Sequence, residues 1–378
     1  MDKRINLVKA LGITYKEDII SNMIVALIKH SRSFRESFLS KLINLQQPSD
    51  FSVRIYTRIL TSVGIPDIVS VIENERECYL LIIENKLKAD EGYKQTLRYA
   101  SKECITELKK ILGLSDRKVE EKFIFLTLVP ESIPTSSLFI NISYEDLINN
   151  IPSPTEDVGL KMLYEDLSDV LLEFYKDLDI TDNDLILEKF TEKTEPERLK
   201  VRFRKLMNSI SNLPNGLSRS PIDEVVGTGR INYIVQFSKK SWKGKIAQKT
   251  EEGKYLLNED TFDIHVEFTF DAFNRSFTLP LHYETRPYLP KRKIANHSEG
   301  SEKYLYQREI VKRMIHEKIK SLNDQSIKCY NGSNQIANTK IVLNENTTVK
   351  EFKEQLLLNL RKISEFVDET VSELKAMS

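Results

Sequence analysis

The sequence of 378 residues predicts an α/β protein, in which apolar strands alternate with amphipathic helices. Two observations support this class: apolar runs typical of strands and apolar residues at helical spacing. The composition of 40% hydrophobic and 30% charged residues is that of an ordinary soluble protein. A chain of this length exceeds what one hydrophobic core usually organises. We therefore expect two domains, residues 1–195 and a C-terminal basic α+β domain of residues 196–378.

The first elements are helices followed by a strand. Apolar residues at helical spacing across residues 18–43 predict one long helix or two short ones that cover a face of the sheet. Residues 51–59 alternate in polarity and predict the first strand, with Arg54 and Arg58 on its polar face. An exposed strand face explains these arginines most simply, and a phosphate contact is the alternative.

Two strands joined by a polar link form the centre of the N-terminal domain. Residues 65–72 alternate in polarity, and residues 78–84 are a continuous apolar run typical of a buried strand. In the antiparallel hairpin that this pattern predicts, Asp67 near the start of one strand lies beside Glu84 near the end of the other. Lys86 follows Glu84 by two residues and therefore points to the same face.

The remaining elements of this domain alternate in type. Residues 90–105 predict a helix on which Gln95 and Tyr99 lie one turn apart. Residues 122–129 predict a buried strand, and a short helix begins at Tyr144. The predicted order is therefore helix, three strands, helix, strand, helix.

Asp67, Glu84 and Lys86 are suited to metal-assisted hydrolysis of phosphodiesters. Magnesium prefers oxygen ligands and retains several waters, so two carboxylates with substrate phosphate make a usable site. The backbone carbonyl of Asn85, whose side chain should face away, completes the expected ligands. Lys86 would position the attacking water or hydroxide and offset charge on phosphorus. Taken singly, each of these residues is more often a turn or strand-end side chain without a catalytic role.

The same residues resemble the motifs of the PD-(D/E)XK nuclease superfamily, which includes many restriction enzymes and recombination nucleases. Pro66-Asp67 matches the first half of the motif, and Glu84-Asn85-Lys86 matches the second. Gln95 and Tyr99 match the Q-x-x-x-Y helix of its RecB-like branch. The resemblance ends near residue 150 and includes the acidic helix that begins around Glu17.

This resemblance implies a restriction-endonuclease-like core of the αβββαβ type, with a mixed central sheet flanked by helices. It implies a nuclease that requires Mg²⁺ or Mn²⁺, with DNA the favoured substrate. It also implies that Glu17 adds a carboxylate and that Gln95 steadies the metal site or the substrate phosphate, whereas Tyr99 could equally be a packing residue. The run of residues 83–100 is similar to largely uncharacterised bacterial members, some of them found near phage-defence genes.

A formal net charge of zero conceals two opposed charge blocks. Residues 145–197 contain sixteen Asp or Glu and four Lys, whereas residues 198–249 contain twelve Lys or Arg and two acidic residues. Basic clusters bind backbone phosphates without reading sequence, and pairing of the two blocks with each other across a domain contact is the alternative. The candidate nucleic-acid contacts are Arg202, Arg204, Lys205, Lys239, Lys240 and Lys243.

The C-terminal half is rich in strands before it becomes helical. Its predicted strands are residues 231–237, 261–270, 276–284 and a short one at 341–343, with a turn at 271–275. Its other predicted elements are a loop at 285–301, a helix at 304–322 and a long amphipathic helix at 349–377. We expect the apolar stripe of the last helix to pack internally, with a homodimer contact as the alternative.

Cysteines, histidines and apolar runs exclude several classes of protein. Three widely separated cysteines indicate neither a disulfide framework nor a zinc motif. The histidines do not cluster along the chain, and we expect structural or surface roles for His30, His265, His282, His297 and His316. No apolar run is long enough to span a membrane and the N-terminus is too polar for a signal peptide, so we expect a cytoplasmic protein.

The function predicted from these observations is a metal-dependent nuclease. One alternative is a non-catalytic protein on the same fold that binds nucleic acid or partners. Another is a nuclease held inactive until its C-terminal domain senses a phage protein or a small molecule. The intact set of Asp67, Glu84 and Lys86 favours an enzyme, because a scaffold would not require all three.

Overall fold

The computed structural model describes residues 4–14, 16–190, 196–227, 230–271, 276–296, 298–332 and 334–377. The chain forms two compact units, Met1–Asp179 with Glu197–Ser209, and Ile180–Pro196 with Ile210–Ser378. The chain therefore returns to the first unit after entering the second, whereas the sequence suggested a single boundary after residue 195.

A mixed sheet forms the centre of the first unit. Its strands are β1 Ser52–Thr57, β2 Ile68–Glu73, β3 Cys78–Lys86, β4 Glu120–Thr127 and β5 Ile140–Ser143. Neighbouring strands are hydrogen-bonded in that order. The β1–β2 and β2–β3 pairs are antiparallel, and the β3–β4 and β4–β5 pairs are parallel. The α/β class predicted from the sequence is confirmed.

Helices pack on both faces of this sheet. The helices of the first unit are α1 Leu7–Ala10, α2 Glu17–His30, α3 Arg32–Leu42, α4 Gln95–Tyr99, α5 Lys102–Ile111, α6 Tyr144–Asn150 and α7 Val158–Asp177. The next helix, α8 Ile186–Lys189, belongs to the second unit, and α9 Pro196–Asn208 lies mainly in the first. One core joins α2, α3 and α7 to Ile68 and Ile72 of β2, and the other joins α4 and α5 to Val69 and Val71. Because side chains alternate along a strand, the sheet is buried on both faces.

Most elements predicted in the first unit are confirmed with shifted ends. The pattern across residues 18–43 corresponds to two helices that are separated at Ser31, whose hydroxyl accepts a hydrogen bond from the Phe34 backbone N–H. The helix expected at residues 90–105 is wrong in its limits, because α4 begins at Gln95 and Ser101 caps a separate α5. The short β5 is absent from the sequence prediction.

An antiparallel sheet forms the centre of the second unit. Its strands are β6 Ser218–Arg219, β7 Asp223–Gly227, β8 Arg230–Ser238, β10 Phe262–Asp271, β11 Ser276–Thr285, β13 Ile327–Cys329 and β14 Gln335–Lys340, while β9 Tyr255–Leu256 and β12 Ser298–Glu299 pair separately. The main sheet has the order β13-β14-β11-β10-β8-β6, with β7 beside β8. Its helices include α10 Lys291–Asn296, α11 Ser301–Leu322 and α12 Val349–Met377.

The apolar stripe of α12 packs inside its own unit. Phe352 lies with its ring centroid 4.7 Å from that of Phe277 and 5.9 Å from that of Phe268. Leu356, Leu360 and other members of the stripe are also buried. This packing agrees with the internal role expected for the helix.

The second unit also differs from its prediction at several points. The strands at 231–237, 261–270 and 276–284 and both long helices are confirmed with small changes at their ends. The loop expected at 285–301 contains α10 and β12, and the strand expected at 341–343 is wrong because β14 ends before it. Residues 272–275 of the predicted turn and His297 lie outside the described residues. Within the described ranges, no helix is long and apolar enough to cross a membrane.

Candidate active site

The register of β2 and β3 places Asp67 beside Glu84. Ile68 pairs with Ile83, so Asp67, one residue before β2, lies opposite Glu84 near the end of β3. The Asp67 Oδ2 accepts a hydrogen bond of 2.7 Å from the backbone N–H of Asn85. The two carboxyl groups also interact electrostatically, since the negative charge of Asp67 raises the pKa of Glu84. The hairpin thus brings together two carboxylates that are distant in sequence.

Glu84 is a fully buried carboxyl group in contact with Lys86. Its side chain is 0% exposed. The Nζ of Lys86 lies 2.6 Å from Oε1 and forms an ion pair with it. A buried charge is costly unless partners compensate for it. The Glu84 carboxylate therefore retains the capacity to bind a further cation.

Burial and neighbouring charges shift the pKa of all three groups. Burial, reinforced by the carboxylates of Asp67 and Glu17, raises the pKa of Glu84 to about 8 against the opposing effect of Lys86. Burial also raises the pKa of Asp67, although the hydrogen bond from the Asn85 N–H opposes it. Burial lowers the pKa of Lys86, but the three neighbouring carboxylates outweigh this effect and the pKa is raised. Lys86 is therefore an ammonium at neutral pH.

Glu17, at the start of α2, reaches the end of β3. Its Oε1 accepts hydrogen bonds from the backbone N–H groups of Leu87 at 2.8 Å and Lys88 at 3.1 Å. Its negative charge also contributes to the raised pKa values of Asp67 and Glu84. Glu17 therefore fixes the backbone that follows β3 and adds a third carboxylate to the cluster.

The side chain of Asn85 points toward the helices instead of the carboxylates. Its amide nitrogen donates to Ser21 Oγ at 2.8 Å and to the carbonyl oxygen of Glu17 at 3.3 Å. Its amide oxygen accepts a hydrogen bond from the hydroxyl of Tyr144. These bonds tie α2 and α6 to the end of β3, so Asn85 stabilises the strand that carries the acidic cluster.

Gln95 and Tyr99 bind each other and the loop that precedes Asp67. Gln95 Nε2 donates a hydrogen bond of 3.0 Å to the Tyr99 hydroxyl, which also accepts one of 3.2 Å from the Ile65 backbone N–H. Gly64 has a φ of 147°, and a Cβ at this position would lie 2.8 Å from the Tyr99 ring. The close approach therefore requires glycine. The hydrogen bonds of the two side chains hold the backbone that positions Asp67.

Arg204 on α9 is a buried structural residue, which corrects its prediction as a nucleic-acid contact. Its side chain is 0% exposed, and Nε donates to Asp90 Oδ1 at 2.7 Å. Nη2 donates to Thr127 Oγ1 at 3.1 Å and Ser132 Oγ at 2.9 Å, and Nη1 donates to the Leu87 carbonyl at 3.4 Å. A buried guanidinium cannot reach a phosphate. Instead it ties α9 to the ends of β3 and β4.

Most of the other candidate nucleic-acid contacts are engaged in ion pairs. Lys205 pairs with Glu131, Lys239 with Asp368, and Lys243 with Asp263. Arg202 is half-buried, and Lys240 is exposed. Trp242, which lies between Lys240 and Lys243 in the sequence, is buried and donates its indole N–H to Asp368 at 2.7 Å. These pairs reduce the positive charge that the cluster presents to a phosphate backbone.

An open cleft of about 1000 Å³ in the first unit is lined in part by α7 and α9. Its lining carries both signs of charge, and Glu173 pairs there with Lys9 at 2.5 Å and Arg198 at 2.7 Å. The Arg198 pair joins the basic block to the acidic block within one unit, whereas the alternative placed such pairs across a domain contact. The acidic cluster at Asp67 and Glu84 does not line this cleft.

A second polar cluster lies on the β10–β11 hairpin, where two histidines that are distant in sequence meet. His265 and His282 are directly paired across the hairpin, and their rings stack with centroids 5.5 Å apart. Asp263 and Glu267 flank His265 on β10, and Glu284 follows His282 on β11. The signal that could have drawn attention to them is His-x-Glu in each of two neighbouring predicted strands, although the predicted turn at 271–275 places the histidines one residue out of register.

The charges of this second cluster perturb each other strongly. Burial lowers the pKa of His265, but hydrogen bonds and charge interactions with the neighbouring carboxylates outweigh it and raise the pKa to about 9. In the opposite sense, burial raises the pKa values of Asp263 and Glu267, but their contacts with His265 and other cations outweigh it and lower both. The hairpin thus holds strongly interacting titratable groups on its polar face.

Comparison with known proteins gives this chain no relative: no family model, no curated protein and no solved structure matches it.

Proposed function

We propose that this chain is a metal-dependent nuclease, with a restriction-endonuclease-like core in the first unit and its active site at Asp67, Glu84 and Lys86. The observation that carries the proposal is the Glu84 carboxyl group, which is fully buried beside Asp67 and is contacted by the Lys86 ammonium at 2.6 Å. A carboxylate in this state, beside a second carboxylate and an ammonium, is typical of a catalytic site and unusual for a structural one.

The residues of the cluster fit a hard divalent cation such as Mg²⁺ or Mn²⁺. Asp67 and Glu84 would hold it through carboxylate oxygens, and Glu17 is near enough to raise the pKa of both. Magnesium is usually bound by one or two carboxylates together with waters and substrate phosphate. When bound, such an ion lowers the pKa of coordinated water and offsets negative charge on the phosphoryl group.

Lys86 acts in this proposal as a cation and hydrogen-bond donor. Its raised pKa keeps Nζ protonated at neutral pH, so it does not serve as a general base. From its position 2.6 Å from Glu84 Oε1, the ammonium can orient an attacking water or hydroxide. It can also donate to the phosphoryl oxygen that gains charge in the transition state.

Other residues of the first unit position these groups. The Tyr99 hydroxyl holds the Ile65 N–H in the loop before Asp67, and Gln95 holds Tyr99. Arg204 and Glu17 bind backbone groups of Leu87 and Lys88, directly after Lys86. The reacting groups are therefore supported on both sides of the hairpin, as precise catalysis requires.

The order of elements supports the nuclease proposal independently of any single side chain. A helix, three antiparallel strands, a helical segment and a parallel strand follow one another along the first unit. This is the order that the PD-(D/E)XK resemblance implies, with β5 as an addition. DNA is the first substrate to test, and RNA the second.

Cleavage assays on the full chain test this proposal. Linear duplex DNA, circular single-stranded DNA and structured RNA would each be incubated with Mg²⁺, Mn²⁺ or chelator, using wild type and Glu84→Gln. Glu75→Gln is the matched control, because Glu75 is an exposed carboxylate in the link between β2 and β3. We expect metal-dependent cleavage of at least one substrate by wild type and by the control, and none by Glu84→Gln.

Cleavage that persists in chelator or in Glu84→Gln would contradict the assigned site. If wild type cleaves no substrate with either metal, the account of an enzyme active on its own is wrong. The alternatives of a scaffold or a triggered nuclease would then replace it.

A further inference from the structure

The polar face of the β10–β11 hairpin carries a second set of potential metal ligands. Residues two apart in a strand share a face, so Asp263, His265 and Glu267 project from β10 on one side. His282 and Glu284 project from β11 on the same side, since His265 pairs with His282 and Asp263 with Glu284. The opposite side carries buried apolar residues of the core.

Each histidine is oriented by a carboxylate. The Nδ1 of His265 lies 3.4 Å from Asp263 Oδ1, and the Nδ1 of His282 lies 3.3 Å from Glu284 Oε1. Histidines that bind metals usually donate one ring N–H to a carboxylate or carbonyl and present the other nitrogen to the ion. Both rings here have that arrangement at Nδ1, which leaves Nε2 of each as the ligand atom.

The two Nε2 atoms converge on Glu267. The Nε2 of His265 lies 3.8 Å from Glu267 Oε1, and the Nε2 of His282 lies 3.8 Å from Glu267 Oε2. One ligand atom from each of the three residues can be chosen so that all lie within 4.8 Å of one another. Ligands of a tetrahedral zinc ion, at bond lengths of 2.0–2.1 Å, are about 3.3 Å apart. Side-chain shifts of roughly half an ångström to an ångström and a half would therefore close the triad around an ion.

The charge of the cluster also favours a cation. Asp263, Glu267 and Glu284 place three carboxylates on this face, and their side chains are 12–19% exposed. Among the described residues, the ammonium that forms an ion pair with these carboxylates is that of Lys243, which lies 3.3 Å from Asp263. The group therefore has an excess of negative charge unless a metal or protonated imidazole compensates for it.

We propose that His265, His282 and Glu267 bind a divalent transition-metal ion of the Zn²⁺ class, with Asp263 and Glu284 as positioning residues for the two imidazoles. Two histidines and one carboxylate form a ligand set typical of zinc and of other first-row metals with an open coordination position. Gln236, whose Nε2 lies 3.3 Å from His265 Nε2, would release that contact on binding. This site does not depend on the proposed nuclease function.

Metal binding can be measured directly on the full chain. Protein stripped with a chelator would be titrated with Zn²⁺ by calorimetry and with Co²⁺ by visible absorption, in the Glu84→Gln background so that the other acidic cluster contributes less. We expect one ion per chain and a ligand-field absorption band. His282→Gln and Glu267→Gln should each weaken binding by more than about 100-fold, and Glu284→Gln by about tenfold.

His30→Gln is the matched control, because His30 is exposed and distant in sequence from the hairpin; it should bind as the parent does. NMR of the parent chain provides a readout that does not depend on a folded variant, because Zn²⁺ should shift two of the five imidazole spin systems. Where the variants fold, His265→Gln should lack one of these two signals and His282→Gln the other. If Zn²⁺ neither binds nor shifts any imidazole, protonated histidines alone neutralise the carboxylates and the proposal is wrong. Equal binding by His282→Gln and the parent would also overturn it.

Discussion

The two units carry clusters that are built in the same way and differ in chemistry. In each, an antiparallel hairpin brings carboxylates from two strands together: Asp67 and Glu84 across β2 and β3, and Asp263 and Glu284 across β10 and β11. The first cluster adds an ammonium from Lys86 and supplies oxygen ligands, whereas the second adds imidazoles. Strand register thus determines which residues meet, and residue type determines which cation they suit.

The comparison also explains why the sequence indicated one cluster and not the other. Asp67, Glu84 and Lys86 are recognisable by their motif at the ends of two predicted strands. His265 and His282 are distant in sequence, and only the pairing of the predicted strands brings them together. Both strands were predictable, but the predicted turn at 271–275 would pair His265 with Leu281, and a slip of one residue moves a side chain to the other face of the sheet.

Among these substitutions, Arg204→Ala is expected to reduce stability most, and we expect the loss to be confined to the first unit. It would leave Asp90 in a mostly buried position without its guanidinium partner, so the free energy of unfolding should fall by about 3–5 kcal/mol. Urea denaturation measures this loss, with exposed Lys240→Ala as a control expected to show no measurable change. Zn²⁺ binding by folded Arg204→Ala should match that of wild type. Equal stability of the two variants would contradict the buried network around Arg204.

The pH dependence of stability should report the burial of Glu84 in the first cluster. The pKa of Glu84 is raised from an ordinary value of 4.5 to about 8, so the folded chain binds this proton more tightly than the unfolded chain. In metal-free protein, this group's contribution to stability is greatest below about pH 4.5, declines as the pH rises through about 8, and then levels off. The decline should reach a few kcal/mol.

Denaturation of wild type and Glu84→Gln in chelator, between pH 5 and pH 9, tests this expectation. Glu84→Gln should lack this part of the decline, and Mg²⁺ should reduce it in wild type. Parallel curves for the two proteins would show that folding does not raise the pKa of Glu84, contrary to the buried environment described above.

A pair of substitutions at Glu17 distinguishes its support of the backbone from its contribution to the metal site. Glu17→Ala removes the acceptor for the N–H groups of Leu87 and Lys88 and should cost about 1–3 kcal/mol of stability. Glu17→Gln keeps an acceptor and should cost less, but it removes the carboxylate charge. If Glu17 contributes to the metal site, Mn²⁺ titration will show weaker binding by both variants. Full affinity in Glu17→Gln would restrict this residue to supporting the backbone.

Tyr99→Phe should have the smallest effect of the series. It removes the hydroxyl that accepts hydrogen bonds from Ile65 N–H and Gln95, for a loss of about 1 kcal/mol. Since Tyr99 positions the loop before Asp67 and does not contact the reacting groups, cleavage should slow by about tenfold or less. Measured rates and unfolding curves would contradict this positioning role if the variant were inactive while fully stable.

The elements that the sequence predicted well are those whose apolar pattern is strong. α2, α3, α12 and the β2–β3 hairpin bury a continuous face, so periodicity alone identifies them. β5 and β13 are short, and their stability comes from pairing with neighbouring strands, which local sequence does not record.

Arg204 illustrates why charge counts misidentified the basic cluster. It lies on α9 among buried Phe203, Leu206 and Met207, a position on the apolar face of the helix that periodicity could have marked. What the sequence could not provide is its set of partners on distant strands. A truncation after residue 195, at the predicted domain boundary, would also remove α9 and with it this network.

The most direct test of the catalytic account is single-turnover cleavage by wild type and Lys86→Met, using the substrate that wild type cleaves best. Methionine has similar length but no charge, so the variant should fold and still bind Mn²⁺ at the carboxylates. We predict that cleavage falls by about a thousandfold or more, because the ammonium that orients the nucleophile and stabilises developing charge is absent. Cleavage by Lys86→Met at the wild-type rate would contradict the assignment of Asp67, Glu84 and Lys86 as the active site.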